Sequence, residues 1–301
     1  MRPPTFLAWA SAGSTPPFGR RSAPSAEPPA RVGSTGKTAD FFELVKTGTP
    51  QDVQAAISRG AAVNARDHAG LTPLEEAAMH NQNPEVITAL QKAGANIKAR
   101  DNNGMTALIW AAEYNNNPEM ITTLLLLGAD INARDSYYNK TALMWAAQSN
   151  QSSEVITSLL KAGADLRVQN KTGETVLMYA ASSNRQPAVT VALLKAGADI
   201  KAKDNKGKTA LMYAACNTNP EEITALVQAG ADIQAKDKDG MTALMWAAQT
   251  NNNPQVIMVL LKAGANGKAK SNEGKTAFDY AQGYEALKGT DAYRQLQESS
   301  Q

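Results

Sequence analysis

Aromatic residues recur at one position of a repeated pattern, and they are the residues of this sequence best suited to binding chemistry. Large amphipathic rings bury much area with little loss of side-chain entropy, and they dominate the hot spots of protein interfaces. Their faces also attract ammonium groups. The rings stand about 34 residues apart, at Trp110, Trp145, Tyr179, Tyr213, Trp246 and Tyr280.

Polar side chains and two further rings accompany this aromatic position. Glu113 and Gln148 follow the ring by three residues, so on a helix they lie on the same side as the ring. Tyr137 and Tyr138 lie in a turn that is one residue longer than its counterparts, with Asn139 where the other turns have glycine. The sequence therefore predicts partner-binding residues at Trp110, Trp145, Tyr179, Tyr213, Trp246, Glu113, Gln148, Tyr137 and Tyr138.

Nothing in the sequence is typical of catalysis or of metal binding. His68 and His80 are the only histidines and Cys216 is the only cysteine, which is too few for a metal cluster. The sequence has no Cys/His pair or Ser/His/Asp order at a plausible place. We therefore predict a protein that is not an enzyme and has no metal site.

A tripeptide, Gly36-Lys37-Thr38, matches the end of a phosphate-binding loop. The full motif requires glycine where Arg31 stands, and a strand before it where the sequence is rich in proline. The same tripeptide recurs at 207–209 and 274–276, inside repeat turns. We therefore predict no nucleotide and no other cofactor.

The rings belong to a unit that repeats from Asp67 to Ala281, and the copy from Asp101 to Arg134 represents it well. Gly104 provides the positive φ of a tight turn, and Thr106 precedes an apolar run as the cap of a first helix. Leu108, Ala111 and Ala112 share one face of that helix, and Trp110 lies at about 200° on the helical wheel, opposite to them. The ring should therefore point away from the second helix, toward open space.

The second helix has its own start and stop signals. Asn117-Pro118-Glu119 combines a cap, a proline at the first helical position and an early carboxylate, and Gly128 ends the helix. The first helix ends at an asparagine in several copies. Because asparagine tolerates the left-handed conformation that ends helices, we predict that conformation at these residues. The residues concerned are Asn115, Asn150, Asn184 and Asn251.

These units resemble ankyrin repeats. The family pattern, Asp-x-x-Gly-x-Thr-Pro-Leu-His-x-Ala-Ala followed by Leu-Leu-x-x-Gly-Ala-Asp, matches residues 67–96 through Thr72-Pro73-Leu74, and it matches the later copies with regular departures. Alanine or valine replaces the proline in those copies, and the family histidine, whose hydrogen bonds tie repeats together, is absent throughout. The link Asn-Asn-Asn-Pro lengthens the repeat to 34 residues.

The resemblance implies an all-α fold, an ankyrin-repeat solenoid of stacked helix-turn-helix units with short β-turn loops. It also implies that the first helices line a concave groove that binds a segment of a partner protein. Residues 38–301 would form the repeat domain, with an N-terminal cap unit at 38–66, six central repeats over 67–270 and a C-terminal cap unit at 271–301. Residues 1–37, rich in Pro, Ser and Gly, are predicted to be a disordered leader.

Charge and composition narrow the class of partner. The chain has a net charge of +2, and the basic residues concentrate in the leader, so the repeats lack the basic surface that nucleic-acid binding requires. The lysine-rich turns at 201–208 and 236–238 are predicted to be solvated because aspartates interleave with the lysines. A single cysteine and no convincing signal peptide favour a monomer in the cytoplasm with no membrane association, although export by another route stays open.

Three interpretations of the aromatic position stay open at this stage. The rings could bind a protein partner, they could only pack on one another between repeats, or Trp145, Tyr179 and Tyr213 could surround a small cationic or methylated ammonium ligand. A chain whose rings only pack would act as a passive structural spacer. The three differ in whether the rings are exposed and in what lies between them.

Overall fold

The computed structural model describes residues 35–150, 152–183, 186–251 and 253–301, and for 35–37 it describes the backbone alone. The predicted disordered leader lies outside the described residues, apart from residues 35–37, which already belong to the first helix. The described residues form two compact units, 35–205 and 206–301. They are helical, with one short 3₁₀ helix, and their only bridge between extended segments is an isolated one joining Arg134 and Thr141.

Five helix pairs make up residues 35–205. The first helices of the pairs are α1 (Thr35–Thr47), α3 (Pro73–His80), α5 (Ala107–Tyr114), α7 (Ala142–Ser149) and α9 (Val176–Ser183). The second helices are α2 (Pro50–Ser58), α4 (Glu85–Lys92), α6 (Pro118–Leu126), α8 (Ser153–Lys161) and α10 (Pro187–Lys195). First helices contact first helices of the neighbouring pairs, and second helices contact second helices, so the pairs stack in chain order.

Residues 206–301 contain three further pairs that stack in the same way. The first helices are α11 (Ala210–Ala215), α13 (Ala243–Thr250) and α15 (Ala277–Gln282), and the second helices are α12 (Pro220–Gln228), α14 (Pro254–Lys262) and α16 (Asp291–Ser300). A 3₁₀ helix, Glu285–Leu287, joins α15 to α16. Leu287 of the 3₁₀ helix and Leu296 of α16 are fully buried.

The core forms where first and second helices meet. Leu108, Ala111 and Ala112 of α5 are buried against the neighbouring helices, as the helical wheel predicts, and Ile121 and Leu124 of α6 have no exposed surface. Each buried leucine or isoleucine contributes about 1.5 to 3 kcal/mol. Since every pair repeats this pattern, the apolar stabilisation is distributed along each stack.

Threonines begin the first helices, as predicted. Thr72, Thr106, Thr141, Thr242 and Thr276 each accept a hydrogen bond from the backbone N–H three residues later. Thr175 and Thr209 differ, because their hydroxyls are buried without a hydrogen bond. Asn117 begins α6 as predicted, with Oδ1 accepting from the N–H of Glu119 at 2.9 Å.

The prediction that asparagines end the first helices in the left-handed conformation is wrong for Asn115, Asn150 and Asn251, and Asn184 lies outside the described residues. All three have φ between −74° and −96° and extended backbone. Their side chains turn toward the preceding repeat instead. Asn150 Nδ2 donates to the carbonyls of Ala112, at 2.8 Å, and of Asn115, at 3.0 Å.

The same bond pattern recurs at equivalent positions. Asn115 Nδ2 donates to Ala78 O and Asn81 O, and Asn81 Nδ2 donates to Val45 O and Gly48 O. In the second unit Asn251 Nδ2 donates to Ala215 O and Asn217 O. A ladder of buried asparagines therefore ties adjacent repeats together.

Turns also join one repeat to the next. The backbone N–H of Ser136 donates to Asn103 O at 2.8 Å, and that of Lys171 donates to Tyr138 O at 3.0 Å. Gly104 has φ of +73°, and a Cβ there would lie 2.8 Å from the Ser136 nitrogen, so the turn requires glycine. In the longer turn Asn139 takes this role with φ of +64°.

Candidate functional site

The aromatic position divides into partly exposed and buried rings. Trp110, Trp145 and Tyr280 are partly exposed. Tyr179, Tyr213 and Trp246 are only 6–8% exposed. The prediction that the rings face open space is therefore wrong for these last three, and they leave little ring surface for a partner.

Polar contacts hold the rings back against the turn of their own repeat. The indole N–H of Trp145 donates to Asp135 Oδ2 at 3.1 Å, and that of Trp246 donates to Asp237 Oδ2 at 2.9 Å. The Tyr179 hydroxyl donates to Glu174 Oε2 at 2.6 Å. The helical wheel places the ring on the correct side of the helix, but it does not show that the turn folds over that side.

Trp110 differs from Trp145 and Trp246 in the hydrogen bonding of its indole N–H. Its indole N–H and Asp101 Oδ2 are both buried, and neither makes a hydrogen bond of acceptable geometry. Burial raises the pKa of Asp101, while the backbone N–H groups of Met105 and Asn103 and then the Trp110 indole lower it. Trp110 therefore lacks the well-formed indole hydrogen bond that Trp145 and Trp246 make.

A buried lysine lies between two of the rings. The Lys140 ammonium is 4.0 Å from the ring centre of Trp145, 4.0 Å from that of Tyr179 and 5.2 Å from that of Tyr138. Lys140 is 3% exposed, and its Nζ donates to Gln148 Oε1. The amine therefore occupies an aromatic cage that the protein itself supplies.

Burial lowers the pKa of Lys140 to about 8, and the negative charges of Glu174, Glu113 and Asp135 oppose this shift. Cation–π attraction to desolvated rings, together with these carboxylates, favours the protonated amine. The ammonium is therefore retained at neutral pH in spite of its burial.

Lys208 repeats this arrangement in the second unit. Its Nζ lies 3.4 Å from the ring centre of Trp246 and 5.8 Å from that of Tyr213. The prediction that the lysine-rich turns are solvated is wrong for Lys208, which is 8% exposed, while the other lysines of these turns are exposed. Gly207-Lys208-Thr209 is thus a repeat turn whose lysine contacts aromatic rings.

One group of rings does reach the surface, in the second and third repeats. We call Trp110, Tyr114, Tyr137, Tyr138 and Trp145 the aromatic surface. Tyr114 is 46% exposed and Tyr137 is 65% exposed, and Leu126 is the only other large hydrophobic residue of the described ranges that is exposed. Tyr114 was not among the predicted residues, although it follows Trp110 by four residues and therefore lies on the same side of α5.

The aromatic surface is organised by ring contacts. Tyr114 stacks on Trp110 with ring centres 5.8 Å apart. Tyr137 meets Tyr138 edge to face at 4.5 Å, and Tyr138 meets Trp145 edge to face at 6.2 Å. Such contacts contribute about 0.5 to 1.5 kcal/mol each beyond area burial. They hold the exposed tyrosines in place.

The polar residues predicted for the site lie beside these rings. Glu113 and Gln148 are half-buried, and both act on Lys140, Glu113 through its charge and Gln148 through a hydrogen bond. The structure therefore brings Trp110, Trp145, Tyr137, Tyr138, Glu113 and Gln148 into one region. Two other predicted rings, Tyr213 and Trp246, belong to residues 206–301 and are buried there.

Other chemistry finds little support in the described part of the chain. There, no three or more His, Cys, Asp or Glu side chains are grouped so that they could hold a metal ion. Among the helices of the described ranges, none has both the length and the apolar character needed to cross a membrane. His80 lies on α3 with Nε2 3.5 Å from Glu76 Oε2.

Comparison with known proteins gives the family. A family model described as ankyrin repeats in three copies matches residues 41–135 and 143–237, and one described as ankyrin repeats in many copies matches 226–281. The chain belongs to the ankyrin repeat family. No curated protein matches it. The fold is thus an all-α ankyrin solenoid, in which the asparagine ladder joins repeats that lack the family histidine.

Proposed function

We propose that this ankyrin repeat protein is a non-enzymatic interaction module that binds a segment of a partner protein across the aromatic surface. Ankyrin repeats are in general protein–protein interaction modules and in general not enzymes. The observation that carries the proposal is the exposure of Tyr114 and Tyr137 beside Trp110 and Trp145. Exposed aromatic clusters rimmed by polar residues are typical of interaction sites.

The site residues of the proposal follow from exposure. Trp110, Tyr114, Tyr137, Tyr138 and Trp145 would contact the partner, with Glu113 and Gln148 as polar neighbours. The three buried rings, Tyr179, Tyr213 and Trp246, would not belong to the aromatic surface. We further propose that the protein acts as a monomer in the cytoplasm, without nucleic acid or membrane.

The site predicted for a small ammonium ligand is already occupied by a side chain of the protein. Trp145 and Tyr179 already hold the amine of Lys140 at 4.0 Å from each ring, so an external ammonium group would have to displace it. The passive-spacer alternative is supported by the buried rings but not by the exposed tyrosines. Partner binding is compatible with the occupied cage, and it accounts for the exposed cluster.

The test uses exposed residues, because their substitution should leave the fold intact. Wild-type protein, the double variant Tyr114→Ser/Tyr137→Ser and the control Leu126→Ser would each be immobilised and exposed to native lysate. Leu126 is 82% exposed on α6, so its substitution also removes an exposed apolar side chain. We expect the double variant to capture at least about tenfold less of the partner and the control to capture as much as the wild type. Equal capture by all three proteins would refute the proposal.

A further inference from the structure

Two repeats of this chain have the same first helix but a different residue before it. Thr-Ala-Leu-Met-Trp-Ala-Ala-Gln occurs at 141–148 and again at 242–249. Lys140 precedes the first copy and Met241 precedes the second. The two sites therefore differ at the residue whose amine fills the aromatic cage in the third repeat.

The third repeat shows what this position holds. There the lysine amine lies between Trp145 and the ring of the next repeat, Tyr179, and donates to Gln148. Lys208, at the same position one repeat before Trp246, also lies over the ring of the following repeat. At these two places the space between adjacent rings holds an ammonium group.

In the sixth repeat the corresponding space is an open cleft. It has a volume of about 590 Å³, and Trp246, Tyr280 and Tyr284 supply aromatic walls. Gln249, the counterpart of Gln148, also lines it. Met241 reaches the cleft with a buried thioether in place of an amine.

The charges around the cleft favour a cation. Asp239, Glu273 and Asp279 line it, with Lys275 as the only cation among the lining residues. Lys275 Nζ lies 2.8 Å from Glu273 Oε2, so these two charges offset each other, and it lies 5.6 Å from the ring centre of Tyr280. An incoming ammonium group would therefore lie nearer to Trp246 or displace Lys275 from Tyr280. The remaining carboxylates, Asp239 and Asp279, give the cleft a negative balance beside its rings.

We infer that the cleft between Trp246 and Tyr280 binds a lysine side chain of the partner segment, in the position that Lys140 occupies in the third repeat. The ring faces would attract the ammonium group, and Gln249 with the carboxylates would accept its hydrogen bonds. The partner segment would therefore be basic. This inference rests on the proposed function for the nature of the partner, but the site lies wholly within residues 206–301.

The direct test titrates the full chain with a capped pentapeptide of one lysine flanked by alanines, and with the same peptide carrying norleucine in place of lysine. The readout is the NMR signal of the Trp246 indole N–H, assigned by its loss in Trp246→Phe. We expect a saturable shift with the lysine peptide and binding weaker by at least about tenfold with the norleucine peptide. Equal binding of the two peptides would overturn the inference, and so would the absence of any shift.

The matched variant places a lysine of the chain itself in the cleft. Met241→Lys recreates the sequence of the third repeat, so its own amine should occupy the cleft and weaken the lysine peptide by at least about tenfold. The control Met105→Lys makes the same change in the second repeat and should leave binding unchanged. Circular dichroism establishes that both variants fold, and peptide binding to a folded Met241→Lys protein at wild-type strength would overturn the inference.

The two proposals fail separately. If the lysine peptide does not bind while Tyr114→Ser/Tyr137→Ser still loses the partner, only the lysine site is refuted. If the peptide binds but the double variant captures its partner normally, the lysine site stands and the role of the aromatic surface is refuted.

Discussion

At the scale of single residues, Lys140 shows how a charged group becomes part of the interior. Its amine is surrounded by three rings and lies near Glu174, Glu113 and Asp135, yet desolvation still dominates and lowers its pKa to about 8. Burial would lower the pKa of an isolated ammonium group much further. The cage therefore decides that the lysine remains charged at neutral pH.

Lys140→Met should change how stability depends on pH. In the unfolded chain the lysine keeps its proton to about pH 10.5, whereas in the folded protein it releases it near pH 8, so the unfolded state binds more protons between these values. Wild-type stability should therefore rise across this window, by up to about 3 kcal/mol relative to Lys140→Met. Urea denaturation at pH 7.5 and pH 10.5 measures the difference.

The control for this experiment is Lys161→Met, which removes an exposed lysine from α8. This variant should show the same rise as the wild type. A pH dependence of Lys140→Met that runs parallel to that of the wild type would contradict the prediction.

The sequence could not reveal the burial of Lys140 and Lys208. Lysine in a polar turn normally faces water, and the rings that cover these amines belong partly to the next repeat, 38 or 39 residues along the chain. By contrast, Thr106 as a cap and Leu108 as a core residue depend on local pattern, and both predictions are confirmed.

At the scale of elements, the asparagine ladder takes the place of the histidine contacts that ankyrin repeats generally use between units. Asn150 spans from the end of α7 to two carbonyl groups at the end of α5. The sequence shows an asparagine at the ends of several first helices, which is equally typical of a left-handed cap. Only the extended backbone found at Asn115, Asn150 and Asn251 directs the amides toward the preceding repeat.

Asn150→Ala should destabilise the protein. The substitution leaves the carbonyls of Ala112 and Asn115 buried without these bonds, at a cost of about 1 to 3 kcal/mol for each unsatisfied group. Asn150→Asp keeps the oxygen that accepts from the Ser152 N–H but loses both donors, so it should be at least as harmful. The free energy of unfolding in urea is the measurement.

Asn102→Ala is the matched control, because the Asn102 amide also donates to the preceding repeat, at His68 O, but is exposed. It should cost well under about 1 kcal/mol, since water can replace an exposed bond. If Asn150→Ala were no worse than Asn102→Ala, the ladder would have no special role in joining repeats.

At the scale of the whole molecule, one sequence position serves two purposes. The ring is partly exposed at Trp110, Trp145 and Tyr280, and it is buried at Tyr179, Tyr213 and Trp246. The repeat pattern predicted the positions of these rings, and the match to ankyrin repeats predicted the helix pairs. It could not separate exposed from buried rings, because lysines and turn residues that vary between copies decide how far each ring is covered.

This division predicts two classes of variant across the molecule. Trp246→Ala removes a buried ring and its bond to Asp237, so it should lower the free energy of unfolding by about 3 to 5 kcal/mol. Tyr114→Ser/Tyr137→Ser removes exposed rings and two ring contacts, so it should lower the free energy of unfolding by only about 1 to 3 kcal/mol. Urea denaturation of the full chain tests both, and a large loss in the double variant would mean that the exposed tyrosines serve mainly to stabilise the fold.

The turn at 135–140 has already accepted one additional residue without disturbing its neighbours. Asn139 adopts the positive φ that glycine has in the other turns, and the bridge between Arg134 and Thr141 joins the two ends of the turn. Tyr138 O still accepts a hydrogen bond from the Lys171 N–H. A loop anchored on both flanks in this way can lengthen further while the helices beneath keep their positions. It is consequently a place in the described part of this chain where a foreign binding peptide could be grafted, and where natural insertions would cost little in folding.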